Sequence, residues 1–372
     1  MASIKRHIIS NIRNIQSGYR LPGKYLILES DDWGSNRISS RESYDRLLKK
    51  GILTCPEKYD KYDTIAKAED LTALYEILDK YKDINGNPAI VSTFINPTNP
   101  DFDKIKDSDY SEYFYETFLD TLDKTGDRES TINAWREGIN KRYISPEYHG
   151  REHLCVPLWM EALKANNKTV LDAFDEHFYS INILPDHHIA KSFRPTLFFN
   201  TETEKIWLGK ALGDGYELIR EIFGIQPITF APSNGVSSPY FDEILLNKGI
   251  VGIHNSRRYE PNGKGGWVKA DYAKRNEYQQ LMYNRNCVFD PLLAHIDAID
   301  FCLCQIQGAF NWGKAAIIST HRVNYVGGID VKNRDNGLKM LDSLLKKAIE
   351  KWPDIQFISS DEYINKIIKR YG

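Results

Sequence analysis

Asp31 and Asp32 close an apolar run, Tyr25-Leu26-Ile27-Leu28-Glu29-Ser30, and Trp33-Gly34 follow at once. Such a run reads as a buried strand that delivers two acids to a cleft. Carboxylates so close cannot both stay charged cheaply, so one is expected to bind a cation or hold a proton. A solvated turn is the plainer reading of Asp-Asp before Gly. His149 and His153 shift the balance. They stand four apart in His149-Gly-Arg-Glu-His153, a spacing that on a helical turn sends both imidazoles from one face. Two neutral imidazoles and a carboxylate suit a divalent metal such as zinc and leave positions open for water and substrate. Glu152 directly precedes the second histidine, so the pattern is not His-Glu-x-x-His and a zincin-type site is disfavoured.

Those residues need elements to hold them. Short apolar runs, the strand candidates, fall at 24–29, 89–94, 142–148, 194–199, 227–231, 250–254, 315–320 and 355–358. Helix candidates lie near 39–50, 67–82, 110–124, 130–141, 157–178, 205–223, 238–248, 335–351 and 360–370. Leu338, Leu341, Leu344, Leu345 and Ala348 form a 3.6-period stripe in one of them. The alternation points to a mostly parallel sheet covered by helices, and seven or eight such units favour a closed or nearly closed barrel. In such barrels the carboxyl ends of the strands carry the site. Asp31-Asp32, His149 and His153, Ala231-Pro-Ser-Asn234-Gly235 and His321 all follow strand candidates.

No repeat, low-complexity tract or long linker divides the chain, which reads as one domain over residues 1–372. Residues 96–110 and 255–275 read as long loops. Asn262-Gly-Lys-Gly-Gly-Trp267 lacks the Gly-Lys-Ser/Thr ending of a phosphate cradle, and a plain loop is the better reading. Apolar content of 41% with 27% charged residues is that of an ordinary soluble protein, and a net charge of −2 gives no reason to expect nucleic acid or an anionic membrane. Cys55, Cys155, Cys287, Cys302 and Cys304 are odd in number and lack metal-ligand spacing, which argues for free thiols in a reducing compartment. The basic start has no apolar stretch behind it, and no window approaches about 18 uninterrupted apolar residues. A cytoplasmic location without a membrane span is expected.

The motifs, in this order, resemble those of the polysaccharide deacetylase superfamily (carbohydrate esterase family 4, the NodB-homology group). Glu29-Ser-Asp-Asp-Trp-Gly34 is similar to its Thr-Phe-Asp-Asp-Gly motif, and His149-Gly-Arg-Glu-His153 to its His-x-x-x-His motif. Ile228-Thr-Phe-Ala-Pro-Ser-Asn-Gly235 is similar to Phe-Arg-Pro-Pro-Tyr-Gly, and Ile318-Ser-Thr-His321 to the late Leu-x-His motif. The resemblance spans residues 24–370 and implies an α/β fold, a distorted (β/α)7-8 barrel with helical insertions at about 97–140 and 160–215. It implies that Asp32, His149 and His153 bind one divalent metal, zinc before cobalt, nickel or manganese. It further implies that Asp31 is the general base toward the attacking water and His321 the acid that protonates the leaving group. The reaction implied is removal of an acetyl group from an N- or O-acetylated sugar or glycan precursor. Substrate contacts are expected from Trp33, Asn234, His254 and Arg322.

The chain departs from the family where an arginine should orient the base, since Ala231 occupies that position. Arg322, Arg194 and Arg151 are the candidate substitutes. The departure keeps two alternatives open: hydrolysis of a non-sugar amide or ureide bond, and a non-catalytic carbohydrate-binding protein on a decayed scaffold. The insertions leave room for a cleft roof or a subunit interface. His177, His187, His188 and His295 read as structural or surface residues.

Overall fold

Nine strands make the main sheet of the computed structural model: Lys24–Trp33 (β1), Val91–Ile95 (β2), Ile144–Tyr148 (β3), Thr229–Phe230 (β4), Gly252–His254 (β5), Leu281–Tyr283 (β6), Cys287–Val288 (β7), Ala316–His321 (β8) and Ile355–Phe357 (β9). The residues described are 9, 11, 14, 15, 18–53, 58–182, 192–254, 257–259, 267–268, 275–293 and 297–372. The path runs β6-β5-β4-β3-β2-β1-β8-β7, with β9 beside the first residues of β1. Every pairing in it is parallel. Parallel neighbours require crossovers, and the amphipathic stretches supply them as helices.

The two ends of this path, β6 and β7, are separated in sequence by residues 284–286 alone. A link of that length spans at most about 14 Å. The sheet therefore curls until its edges approach each other across a seam, which makes it a distorted, incompletely closed (β/α) barrel. Along β1, Leu26 and Leu28 pack outward with Leu341, Leu344, Leu345 and Ala348 of helix Val331–Lys351. Tyr25 and Ile27 face the other way and meet Leu281, Tyr283, Ile317 and Ile364. Period-2 alternation then carries Glu29 and Asp31 to the inner face.

The insertions bring a second apolar cluster, in which Ile38 and Leu47 pack with Phe102, Trp159, Phe174 and Phe178. Expected helix 157–178 is two helices, Val156–Lys164 and Lys168–Phe174, the second capped by Asn167. The strand expected at 194–199 is a turn, in which Phe198 N–H donates to the Pro195 carbonyl; Pro195 itself has no N–H for a ladder. Strands β6 and β7 escaped the reading because two or three residues show no period. Helix Ala298–Asn311, which buries Cys302 and Cys304, was also missed. Residues 262–266, His187, His188, His295 and Cys55 lie outside the described residues. No helix among the described residues is long and apolar enough to cross a membrane.

Helix Val331–Lys351 reaches the site through Gly337. A Cβ there would lie 1.7 Å from the backbone oxygen of Asn324, in the turn that follows His321. Alanine at a helix-interior glycine ordinarily stabilises by about 1 kcal/mol. Here the collision is with backbone, which cannot give way as a side-chain tip can. Gly337→Ala is expected to destabilise by about 2 kcal/mol or more, read as a lower urea midpoint; an unchanged or higher midpoint contradicts this packing.

Candidate active site

Consecutive residues of a regular strand face opposite sides, so Asp31 and Asp32 should diverge. They do not, because β1 is bulged where they lie. Its register against β2 advances from Ser30↔Thr93 to Trp33↔Ile95, three residues on one strand against two on the other. Asp32 takes a left-handed φ of 71°, a conformation that aspartate tolerates better than most residues. Both carboxylates consequently line one cleft of about 460 Å³, together with His149, His153, His254 and His321.

Asp32 meets the histidine pair. His149 Nε2 lies 3.3 Å and His153 Nε2 3.1 Å from the same atom, Asp32 Oδ1. The pair is not on a helical turn: residues 151–154 form a bend, Gly150 takes a φ of 98°, and the next helix starts only at Val156. His149 is fixed by its backbone N–H to Ile95 and by Nδ1, which lies 2.7 Å from the Ala231 carbonyl. That contact needs the proton on Nδ1, so the neutral ring turns the lone pair of Nε2 toward a carboxylate oxygen. His153 Nδ1 is buried without a hydrogen-bond partner among the described residues. Burial lowers the pKa of His153 against the pull of Asp32, which disfavours the imidazolium form. For Asp32, burial pushes upward but His153, His149 and Arg37 prevail, and its carboxyl stays well below the usual range. Two imidazole nitrogens and a carboxylate oxygen within 4.8 Å of one another fit a divalent cation.

Asp31 has a separate partner. Arg285, in the seam between β6 and β7, grips it with Nη1 at 2.5 Å from Oδ2 and Nη2 at 2.6 Å from Oδ1. The Nε of Arg285 donates to Glu29 Oε2 at 2.5 Å, and its guanidinium lies over the Phe94 ring. Burial raises the Asp31 pKa, but Arg285, His149 and His321 outweigh it and bring it to about 2. A guanidinium is therefore present, but on a different strand end from the one the motif designates. Of the expected substitutes, Arg322 is fully buried and donates to Asp63 and the Ser35 carbonyl. Arg151 pairs with Glu152 and packs on Tyr115 and Trp207. Arg194 lines the cleft and donates to Ser192 and Asn182.

His321 ends β8, directly across from Asp31 in the register. Its Nδ1 lies 3.0 Å from Asp290 Oδ1 and 2.9 Å from the Tyr59 hydroxyl, while Nε2 is 4.0 Å from Asp31 Oδ2. Burial lowers its pKa, yet Asp290 with Asp32 and Asp31 raises it to about 9. Asn324 in turn donates to Asp290.

The remaining expectations divide. Asn234, with φ 54°, and His254 line the cleft. Trp33 does not offer a face to a sugar: it is 1% exposed, donates to Ser30 Oγ and packs edge-on to Trp135. Arg322 is likewise removed from the cleft by its burial against Asp63. His177 stacks on Phe102. Arg285, Asp290, Tyr59 and Arg37 went unnoticed in the sequence. One signal was available for the first: Glu29 shares the inner face with Asp31, and two buried carboxylates on one face require a cation.

Neither a scan of protein-family profiles nor a search of curated proteins finds a match. Among solved structures, the chain is similar to a Mycobacterium smegmatis protein assigned as a polysaccharide deacetylase, with 10% identity and TM-score 0.48 over 95% of this chain and 94% of that one. It is similar to a Parabacteroides distasonis protein assigned as a glycoside hydrolase/deacetylase, with 10% identity and TM-score 0.47 over 94% and 72%. The peptidoglycan deacetylase PdaC from Bacillus subtilis is also similar, with 12% identity and TM-score 0.28 over 94% and 93%. At such identities the chemistry has to be read from the side chains themselves.

The His321–Asp290 pair sets a pH dependence. An unfolded histidine titrates near 6.5 and this one near 9, so the pair's stabilisation is complete below about pH 6.5 and disappears as pH rises through about 9. In metal-free protein, the unfolding free energy is expected to fall across that window, and Asp290→Asn should flatten the fall. Parallel pH profiles for the two proteins in urea titrations contradict the pairing.

Proposed function

We propose that the chain is a zinc-dependent deacetylase of the polysaccharide deacetylase type, removing an acetyl group from an N- or O-acetylated sugar or glycan precursor. The observation that carries this reading is the convergence of an Asp-His-His donor set with a second, separately held aspartate and a histidine paired with Asp290. In this reading Asp32, His149 and His153 hold the ion. A divalent ion there would supply Lewis acidity, polarising the acyl carbonyl and acidifying water enough for a weak base to deprotonate it. Asp31 is charged throughout the neutral range, and the Arg285 fork fixes both its oxygens, so it is oriented to accept the proton of the attacking water. His321 retains its proton up to about pH 9 and donates it from Nε2 to the departing amine or alcohol. Asp290 and Tyr59 hold that ring by the other nitrogen.

Arg285 also bears on the non-catalytic alternative. The case for a decayed site rests on Ala231, and the bidentate contact of Arg285 with Asp31 supports an active one. We further propose a soluble or lipid-linked sugar precursor as substrate, encountered in the cytoplasm.

Two variants separate the proposed roles. Asp32→Ala should abolish both stoichiometric zinc binding and acetate release. Asp31→Asn should keep zinc and lose about 100-fold or more in kcat. Metal analysis and acetate release from a panel of acetylated sugars read the two effects. Purified wild-type protein that binds no divalent metal, or that opens cyclic amides while leaving every acetylated sugar intact, contradicts the reading.

A further inference from the structure

His254 ends β5, beside Tyr283 of β6 in the register, and its half-buried ring lines the cleft. The backbone N–H of Arg285 donates to His254 Nε2 at 3.3 Å, and the ring packs edge-on to Tyr283 at 5.6 Å. Accepting that bond requires a lone pair on Nε2, so the proton of the neutral ring belongs on Nδ1. His149 is the opposite case: a carbonyl at Nδ1 leaves Nε2 bare and suited to a cation. Two backbone groups, the Ala231 C=O and the Arg285 N–H, thus set two cleft histidines in opposite tautomers. One presents a lone pair and the other presents a proton.

We propose that His254 is a neutral hydrogen-bond donor to an oxygen of the substrate, with its Nδ1–H made available by the backbone of Arg285. The charged surroundings agree. Burial and the Arg285 cation, with His149, oppose a second proton more strongly than Asp31 favours one, and the pKa of His254 falls to about 3. A ring whose lone pair is engaged and whose remaining polar group is an N–H serves as neither base nor ligand. Arg285 would accordingly have two functions, holding Asp31 through its side chain and fixing the His254 donor through its main chain. Only the identity of the substrate rests on the deacetylase reading.

The tautomer is tested without turnover, by ¹⁵N-histidine NMR of the full chain as purified. His254 is expected to carry its proton on Nδ1 and to stay neutral down to about pH 5. A proton on Nε2, or titration near the ordinary histidine value, overturns the proposal whether or not the protein is an enzyme. The donor role is tested by acetate release from tetra-N-acetylchitotetraose or, if that is not cleaved, from 4-nitrophenyl acetate. An asparagine amide can stand near Nδ1 and a glutamine amide nearer Nε2. His254→Asn is therefore expected to keep kcat/KM within about threefold, while His254→Gln and His254→Ala lose about tenfold, the size of one hydrogen bond to substrate. Full activity in the alanine variant, or equal losses in all three, overturns it. If wild-type protein releases no acetate from either probe, the panel of acetylated sugars decides the deacetylase reading, and the NMR result alone decides the state of His254.

Discussion

Two adjacent carboxylates buried at the end of one strand impose the constraint that the rest of the site answers. Like charges about 4 Å apart repel by roughly 4 kcal/mol at a surface-like dielectric, so each acid needs a counter-charge of its own. A bulge and a left-handed Asp32 turn both side chains to the cleft. Asp31 then goes to Arg285, and Asp32 goes to Arg37 and the histidine pair. That separation gives two chemically similar residues different proposed tasks. The residue that neutralises Asp31 enters through the seam between β6 and β7.

The anchoring continues below the cleft. Glu29 accepts from Arg285 on one oxygen and from Ser360 Oγ at 2.7 Å on the other. Ser360 opens helix Ser360–Tyr371, whose Tyr363, Ile364 and Ile367 pack against the inner face of the sheet. The last helix is thereby tied to Asp31 through two side chains. On the other wall, Gly337 lets helix Val331–Lys351 approach the turn that carries Asn324, the residue that holds Asp290. Site and packing share these residues, so the geometry of the charges depends on the closure of the fold.

The sequence showed most clearly what is local. An uninterrupted apolar run is enough to place β1, and a strand that ends in two acids is visible without any partner. His149 and His153 stood out by spacing, although the helical turn assumed for them is a bend made by Gly150. Residues whose meaning lies in distant partners stayed hidden. Arg285 is 254 positions from Asp31 and sits between strands too short to show a period, so no local pattern links it to the acid. Trp33 was ambiguous for a related reason: an aromatic beside a buried carboxylate pair packs inward or faces the cleft according to a bulge that no local pattern announces.

The donor geometry predicts one divalent ion on Asp32, His149 and His153 while Asp31 stays with Arg285. Anomalous diffraction at the zinc edge from zinc-soaked crystals addresses it directly. A single strong peak is expected about 2.0–2.2 Å from one oxygen of Asp32 and one nitrogen of each histidine, with the Arg285 fork on Asp31 intact. A zinc peak elsewhere, or Asp31 leaving Arg285 to join the metal, would contradict it.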